Sequence, residues 1–183
     1  MYWCKASRYS IIGLFTLLAA SFYGCEPEAK QSNGTLKYFD IVGYFKGEAA
    51  RLGKPNKPIV KTVSYNGKPE TKNILIKNWT RELDLFSSSD INKAAWKNSY
   101  RVTESSDSIV YNAIDTNLRS RRIVIALKAA QVKSIVINNF TKNMLYETSE
   151  KLIYYPDSLY FIEKHQHVKL LGTNSYQITG RFK

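Results

Sequence analysis

His165 and His167, in KHQHVKL, are the two histidines of the chain. At i and i+2 on a strand they point to one side, about 6 to 7 Å apart by strand rise, and would chelate a soft divalent metal only with a third ligand from elsewhere. The competing explanation is two exposed histidines on a wet face, and no metal is assigned. Arg119, Arg121 and Arg122, in NLRSRRIVI, gather three guanidinium groups at a strand entrance. Such a group suits bidentate recognition of phosphate or carboxylate; the alternative is a solvated turn paired in part with Asp115. Glu82, Asp84, Asp115, Glu147 and Glu150 are acids that a fold would have to bring together before glycoside chemistry was open to them. The chain has no G-x-S-x-G elbow, H-E-x-x-H helix, P-loop or dinucleotide fingerprint. No catalytic residue and no cofactor is expected.

The two cysteines stand at Cys4 and Cys25. Lys5 and Arg8 precede an apolar stretch from Ile11 to Phe22, and small Gly24 comes just before Cys25, which are the parts of a secretory signal over residues 1–24. The stretch is too short for a bilayer, which needs about 20 apolar residues. Loss of residues 1–24 leaves Cys25 as the sole cysteine, so an internal disulfide is excluded and a free exported thiol would be unusual. The mature chain then carries 25 basic against 15 acidic side chains. Such an excess favours anionic surfaces, either an acidic partner or phosphate-bearing lipid, or else serves solubility alone. Nucleic acid is not an expected neighbour.

Residues 25–35 follow the cut, and their Pro, Ser, Asn and Gly with scattered charges predict a flexible tether. One α+β domain is expected over 36–183. Tyr38, Ile41, Phe45, Ala49 and Leu52 step by three and four, predicting a helix from about Leu36 to Leu52 with Gly53 and Pro55 as its stop. IVKTVSYNGKPETKNILI reads as a hairpin around a type I′ turn at Asn66-Gly67. Residues 78–99 read as a second helix, capped by Asn78, with Trp79, Leu83 and Phe86 on one face. SSSD interrupts it, and Ser89 or Asp90 would cap a shorter helix through Ile91, Ala94 and Ala95. From Tyr100 onward short runs such as SIVYNAI, RRIVIALKA and SLYFIEK alternate with turn formers. In the last such run, SYQITGRF, Tyr176, Ile178 and Phe182 should form a dry face opposite Ser175, Gln177, Thr179 and Arg181. Without spaced helices for parallel crossovers, the expected fold is a curved, mainly antiparallel sheet of short strands packed on two or three helices. The strands around 123–127 and 152–162 are apolar on both faces, so they are either covered twice or line a cavity. Tyrosine is frequent, at 13 residues. In LIYYPDSLYF such rings either pack on the sheet with their hydroxyls wet or form a contact surface for a partner or glycan.

Phe22 to Cys25 resembles the lipobox of bacterial lipoproteins, in which signal peptidase cuts before the cysteine and acyl chains are attached to it. The resemblance implies lipidation of Cys25, export, and an anchor in the cell envelope, at the outer membrane. A two-chain anchor of this kind holds stably. Glu26 and Glu28 resemble the acidic patches that direct some Bacteroidota lipoproteins to the cell surface. Asp107-Ser108-Ile109 and Asp157-Ser158-Leu159 resemble the motif at which Bacteroidota O-glycosylate exported proteins, which implies Ser108 and Ser158 as acceptors. With SSSDINKAAWKNSY and PDSLYFIEK, these features look like a family of uncharacterised Bacteroidota envelope lipoproteins, a resemblance that implies no activity. The leading expectation is a lipid-anchored, non-enzymatic interaction module that presents a sheet face to an envelope protein or anionic lipid. The alternatives are an amphiphile carrier with a cavity between sheet and helices, and a hydrolase of an envelope polymer with clustered acids in a cleft.

Overall fold

The structure, a computed structural model, describes residues 36–54 and 57–182. Helix α1 (Ile41–Gly53) leads to the hairpin β1 (Ile59–Tyr65) and β2 (Lys68–Ile74). Two single turns, α2 (Trp79–Glu82) and α3 (Asp84–Ser87), and a 3₁₀ turn at Ala94–Trp96 precede seven strands. These are β3 (Tyr100–Glu104), β4 (Ser108–Ala113), β5 (Ser120–Lys128), β6 (Gln131–Lys142), β7 (Tyr146–Tyr155), β8 (Leu159–Val168) and β9 (Gly172–Arg181). All pair antiparallel in one sheet of order β2-β1-β9-β8-β7-β6-β5-β4-β3. The fold is therefore a sheet-rich α+β fold built as one meander, with the first hairpin added beside the last strand.

Helix α1 begins at Ile41 and not at Leu36, because Asp40 caps it. Its carboxylate accepts the Gly43 N–H at 2.8 Å. A side chain at Gly43 would collide with that carboxylate, its Cβ lying 2.1 Å from Oδ2. Tyr38 and Phe39 are instead a non-helical lead-in with a bend at Tyr38, tied down by the Asn92 amide, which accepts the Tyr38 N–H and donates to the Phe39 carbonyl. Replacing Asp40 by alanine is expected to lower stability by about 1 kcal/mol, read as a shifted urea midpoint with unchanged slope. Within α1 the expected apolar face forms, with Ile41, Phe45 and Ala49 buried and Leu52 half-buried, while Tyr38 is buried from the lead-in before the helix. The Asn66-Gly67 turn also forms as expected, with φ of 48° and 81°.

The long helix expected over 78–99 does not form. Asn78 does cap it, accepting the Arg81 N–H at 2.9 Å, and Trp79, Leu83 and Phe86 are buried together. It ends at Ser87, where the hydroxyls of Ser88 and Ser89 both donate to the Leu85 carbonyl and so compete with the helical ladder. Beyond this point Asp90 and Asn92 are spent on local turns and on holding the lead-in to α1.

All three helices lie on one face of the sheet, here the inner face. Register places its residues in rows across the strands. One runs Ile125, Ile135, Tyr154, Tyr160, Gly180, Lys61; the next runs Ile123, Ile137, Leu152, Ile162, Ile178, Val63. Phe45, Phe86 and Trp79 from the helices pack on them, Phe45 lying 4.9 Å from Phe86 and 5.1 Å from Tyr154. The outward residues Val124, Ile153 and Phe161 of the doubly apolar strands are half-buried by their neighbours on the sheet. The dry face expected of β9 is incomplete: Tyr176 is exposed, and Ile178 and Phe182 are half-buried. The helices stop short of the end of the sheet at which β9 begins.

Candidate binding surface

Two tyrosines directly opposite one another on β7 and β8 hold the helices in place. The Tyr154 hydroxyl donates to Glu48 of α1 at 2.5 Å, and Arg51 pairs with the same carboxylate. The Tyr160 hydroxyl donates to Glu82 of α2, whose carboxylate also takes Lys61 of β1 at 2.5 Å. Both rings are fully buried. Burial first, and the bond to a carboxylate second, push both phenols far above the ordinary tyrosine range. Each acid is thus committed to one cation and one phenol, an arrangement that docks a helix and leaves neither carboxylate free for acid–base chemistry.

The third inner row is polar: Ser120, Asn139, Glu150, Lys164, Tyr176, Tyr65. Its first half is covered by the segment after α3. Asn139 Nδ2 donates to Ser89 Oγ at 2.9 Å and to Glu150 at 3.2 Å, while Ser120 donates to the Ser89 carbonyl. Glu150 is buried and faces Arg119 at 2.7 Å and Lys164 at 3.6 Å. The second half is open. Tyr65 and Tyr176 stack with ring centroids 4.9 Å apart, and exposed Val63 lies beside half-buried Ile178. This strip runs into a groove of about 540 Å³ between α2–α3 and the sheet. Ile74, Ile162, Ile178 and Leu85 contribute its apolar lining; Lys77 and Arg81 contribute cations beside Asp84 and the Lys61–Glu82 pair. The surface therefore offers apolar contact and positive charge side by side over several strands.

The arginine cluster divides. Arg119 is neutralised by Glu150 and also donates to the Ser88 carbonyl at 3.1 Å, so its partner is not Asp115, which accepts the Asn117 N–H of its own turn. Arg121 lies over the Phe140 ring at 5.2 Å. Arg121 and Phe140 line a second pocket of about 430 Å³ together with Lys142 and Arg119. Arg122 stands apart, exposed and opposite Asn138 on the other face. His165 and His167 share that outer face, opposite Ser149 and Glu147. Glu163 approaches His165 at 3.5 Å and Thr173 bonds His167 at 3.0 Å. Among the described residues no three His, Cys, Asp or Glu side chains form a metal-binding group. The acids do not converge: Glu82 and Glu150 are each paired as above, and Glu147 pairs with Lys142. Ser158 is exposed in the β7–β8 turn and Ser108 is half-buried at the start of β4. Cys25, with the signal and tether of residues 1–35, lies outside the described residues.

In the sequence Glu150 stands out only as one of several acids and Tyr176 only as a dry-face residue, while Asn139 and the pairing of Tyr65 with Tyr176 have no signature. Each is a polar or aromatic residue in an alternating strand, and only cross-strand register joins them. In comparisons with known proteins, no family model, curated protein or solved structure matches the chain.

Proposed function

We propose that this protein is a lipid-anchored component of the bacterial cell envelope, at the outer membrane, that acts as a non-enzymatic binding module. Its partner, an envelope protein with an acidic and apolar surface, lies against the open half of the inner face. The observation that carries this reading is the continuous strip of Val63, Tyr65, Tyr176 and Ile178 that runs from the basic-edged groove beyond the reach of the helices. Aromatic side chains at the centre of an interface and cations at its margin are the usual composition of such contacts. The sheet in this reading curves around its helices, as the reach of one core from Tyr111 on β4 to Ile59 on β1 supports. Anchoring rests on Cys25 and the charged, apolar and small residues before it.

A carrier is the second reading, favoured by the apolar floor of the 540 Å³ groove. Against it, the space between helices and sheet is filled by Phe45, Phe86, Tyr154 and Tyr160. One experiment separates the readings: purification of the wild-type protein and of a Tyr65→Ser/Tyr176→Ser variant from native membranes, followed by mass spectrometry of bound proteins and lipids. The expected result is a stoichiometric protein partner that the variant loses. A stoichiometric lipid in its place identifies a carrier, and neither in the wild type overturns both. The anchor is read in the same cells with labelled fatty acid. Cys25→Ser should lose the label and Cys4→Ser should keep it; equal label in wild type and Cys25→Ser overturns the anchor.

A further inference from the structure

The β6–β7 and β8–β9 turns lie side by side at the end of the sheet that the helices leave open, joined by a hydrogen bond from the Lys169 N–H to the Leu145 carbonyl at 3.1 Å. Their tips are apolar and project from the fold. Met144 is 83% exposed, Leu145 69%, Leu170 95% and Leu171 80%. Single exposed apolar side chains are ordinary, but four on two adjoining tips make a patch that marks an interaction site.

From the geometry we infer that these paired tips insert into the interface of a bilayer with anionic headgroups. Three observations identify a membrane as the occupant. First, the turns satisfy much of their own backbone, as a non-aqueous medium demands. Asn143 Oδ1 accepts the N–H groups of Leu145 and Tyr146 at 2.8 and 2.9 Å, the Leu171 N–H goes to the Val168 carbonyl, and the Lys169 N–H bridges the two turns. Second, charge favours an anionic surface: Lys169 stands beside the apolar tips, Lys142 flanks them while paired with Glu147 at 2.9 Å, and neither 142–146 nor 168–172 contains an acid. Tyr146, partly exposed just behind the tip, occupies the level at which amphipathic rings sit in a membrane interface. Third, the described chain starts at this same end of the sheet. Lys37 Nζ donates to Asn98 Oδ1 at 2.8 Å, and the adjacent Ser99 carbonyl takes the Ile114 N–H where β4 leaves the sheet. A tether from an acylated Cys25 would therefore hold this end toward the membrane. That third point rests on the proposed anchor; the other two do not.

The test uses residues 36–183, which contain the whole sheet and core and no cysteine, so that its failure is separate from any failure of the anchor. In co-sedimentation with vesicles of phosphatidylcholine and phosphatidylglycerol in a 7:3 ratio, the wild-type unit is expected to bind. Leu170→Ser/Leu171→Ser is expected to bind about a hundredfold more weakly, since each leucine loses about tenfold from its transfer. Its melting temperature should be unchanged because both side chains are exposed. Lys142→Glu/Lys169→Glu should weaken binding to the anionic vesicles and leave binding to pure phosphatidylcholine unaltered. As a second measurement, an environment-sensitive dye on Leu171→Cys should shift to the blue on vesicle addition and be quenched by brominated acyl chains. A loss below tenfold in the serine variant, no binding by the wild type, or a dye that stays in water overturns the inference. So does a concentration-dependent dimer that the serine substitutions dissolve, which would assign the tips to a second copy of this chain.

Discussion

Raising the pH above 10 is expected to unfold the protein cooperatively, before most of its buried tyrosines can ionise. Tyr100, Tyr154 and Tyr160 are buried, with their hydroxyls bonded to the Ser120 carbonyl, Glu48 and Glu82. Burial chiefly, aided by the nearby Tyr38, pushes the Tyr100 phenol up to about 12, and Tyr154 and Tyr160 are raised further. A tyrosine in the unfolded chain ionises near pH 10. Between that value and the folded one, the unfolded state releases protons that the folded state keeps, so stability falls as pH rises. The contribution is fully present below pH 10. It is lost at about 1.4 kcal/mol per pH unit per tyrosine, or about 4 kcal/mol per unit for the three together. A domain with about 5 to 15 kcal/mol of stability cannot sustain that loss for much more than one to three units. Far-ultraviolet circular dichroism and the share of tyrosinate absorbance at 295 nm that comes from the buried phenols should therefore change together, in one steep step above pH 10.5. Tyr100→Phe should move the step to higher pH by removing one of the three groups. Tyrosinate absorbance that reaches its full value while the sheet signal stays intact would show that the buried phenols are reached by solvent in the folded state.

Gly180→Ala should be among the most damaging single substitutions in the chain. Tyr160 and Gly180 are directly opposite on β8 and β9, and the Tyr160 ring lies across the glycine. A Cβ at position 180 would come within 2.1 Å of Tyr160 Cε1 and 2.2 Å of Cζ. The ring has no free direction in which to yield. Trp79 and Phe182 pack beside it at 6.5 and 6.2 Å, and its hydroxyl is held by Glu82. Displacing it also frees the half-buried Glu82 carboxylate from one of its two partners. The expected cost is about 3 kcal/mol or more, from overpacking together with the broken, half-buried bond to Glu82. Chemical denaturation checks it, and a double-mutant cycle isolates the cause. In a Tyr160→Ala background the same glycine substitution should cost less than about 1 kcal/mol, giving a coupling of about 2 kcal/mol. Equal costs in the two backgrounds would place the damage in the backbone of β9.

Local patterns were readable wherever a residue acts on its near neighbours in the chain. The three-and-four spacing of Ile41, Phe45 and Ala49 defines one helical face, and Asn66-Gly67 carries the positive φ values that a tight hairpin needs. Asn78 as a cap follows from the same short-range stereochemistry, whereas the dry face read from the alternation along β9 is incomplete because the helices do not reach Tyr176. The reading failed at 78–99 because apolar periodicity there competes with the side chains of Ser88 and Ser89. Those hydroxyls bond back to Leu85 and end the helix in the middle of an otherwise helical pattern.

By itself the sequence determined a sheet-rich α+β chain with one hairpin at its start and a run of antiparallel strands behind it. Only the tertiary structure decided which charges are spent and which surfaces are left. Arg119 reads as an anion ligand until Glu150, 31 residues away, is brought to 2.7 Å by the pairing of β5, β6 and β7. The Lys61–Glu82 pair likewise depends on α2 crossing to β1. Leu170 and Leu171 are indistinguishable by type from core leucines, and their exposure follows from a turn that reaches past the helices. The physical reason is one of range. Propensity, capping and periodicity act over about four residues, whereas ion pairing and burial depend on cross-strand register, which joins residues from β1 to β9 only once the whole sheet has formed.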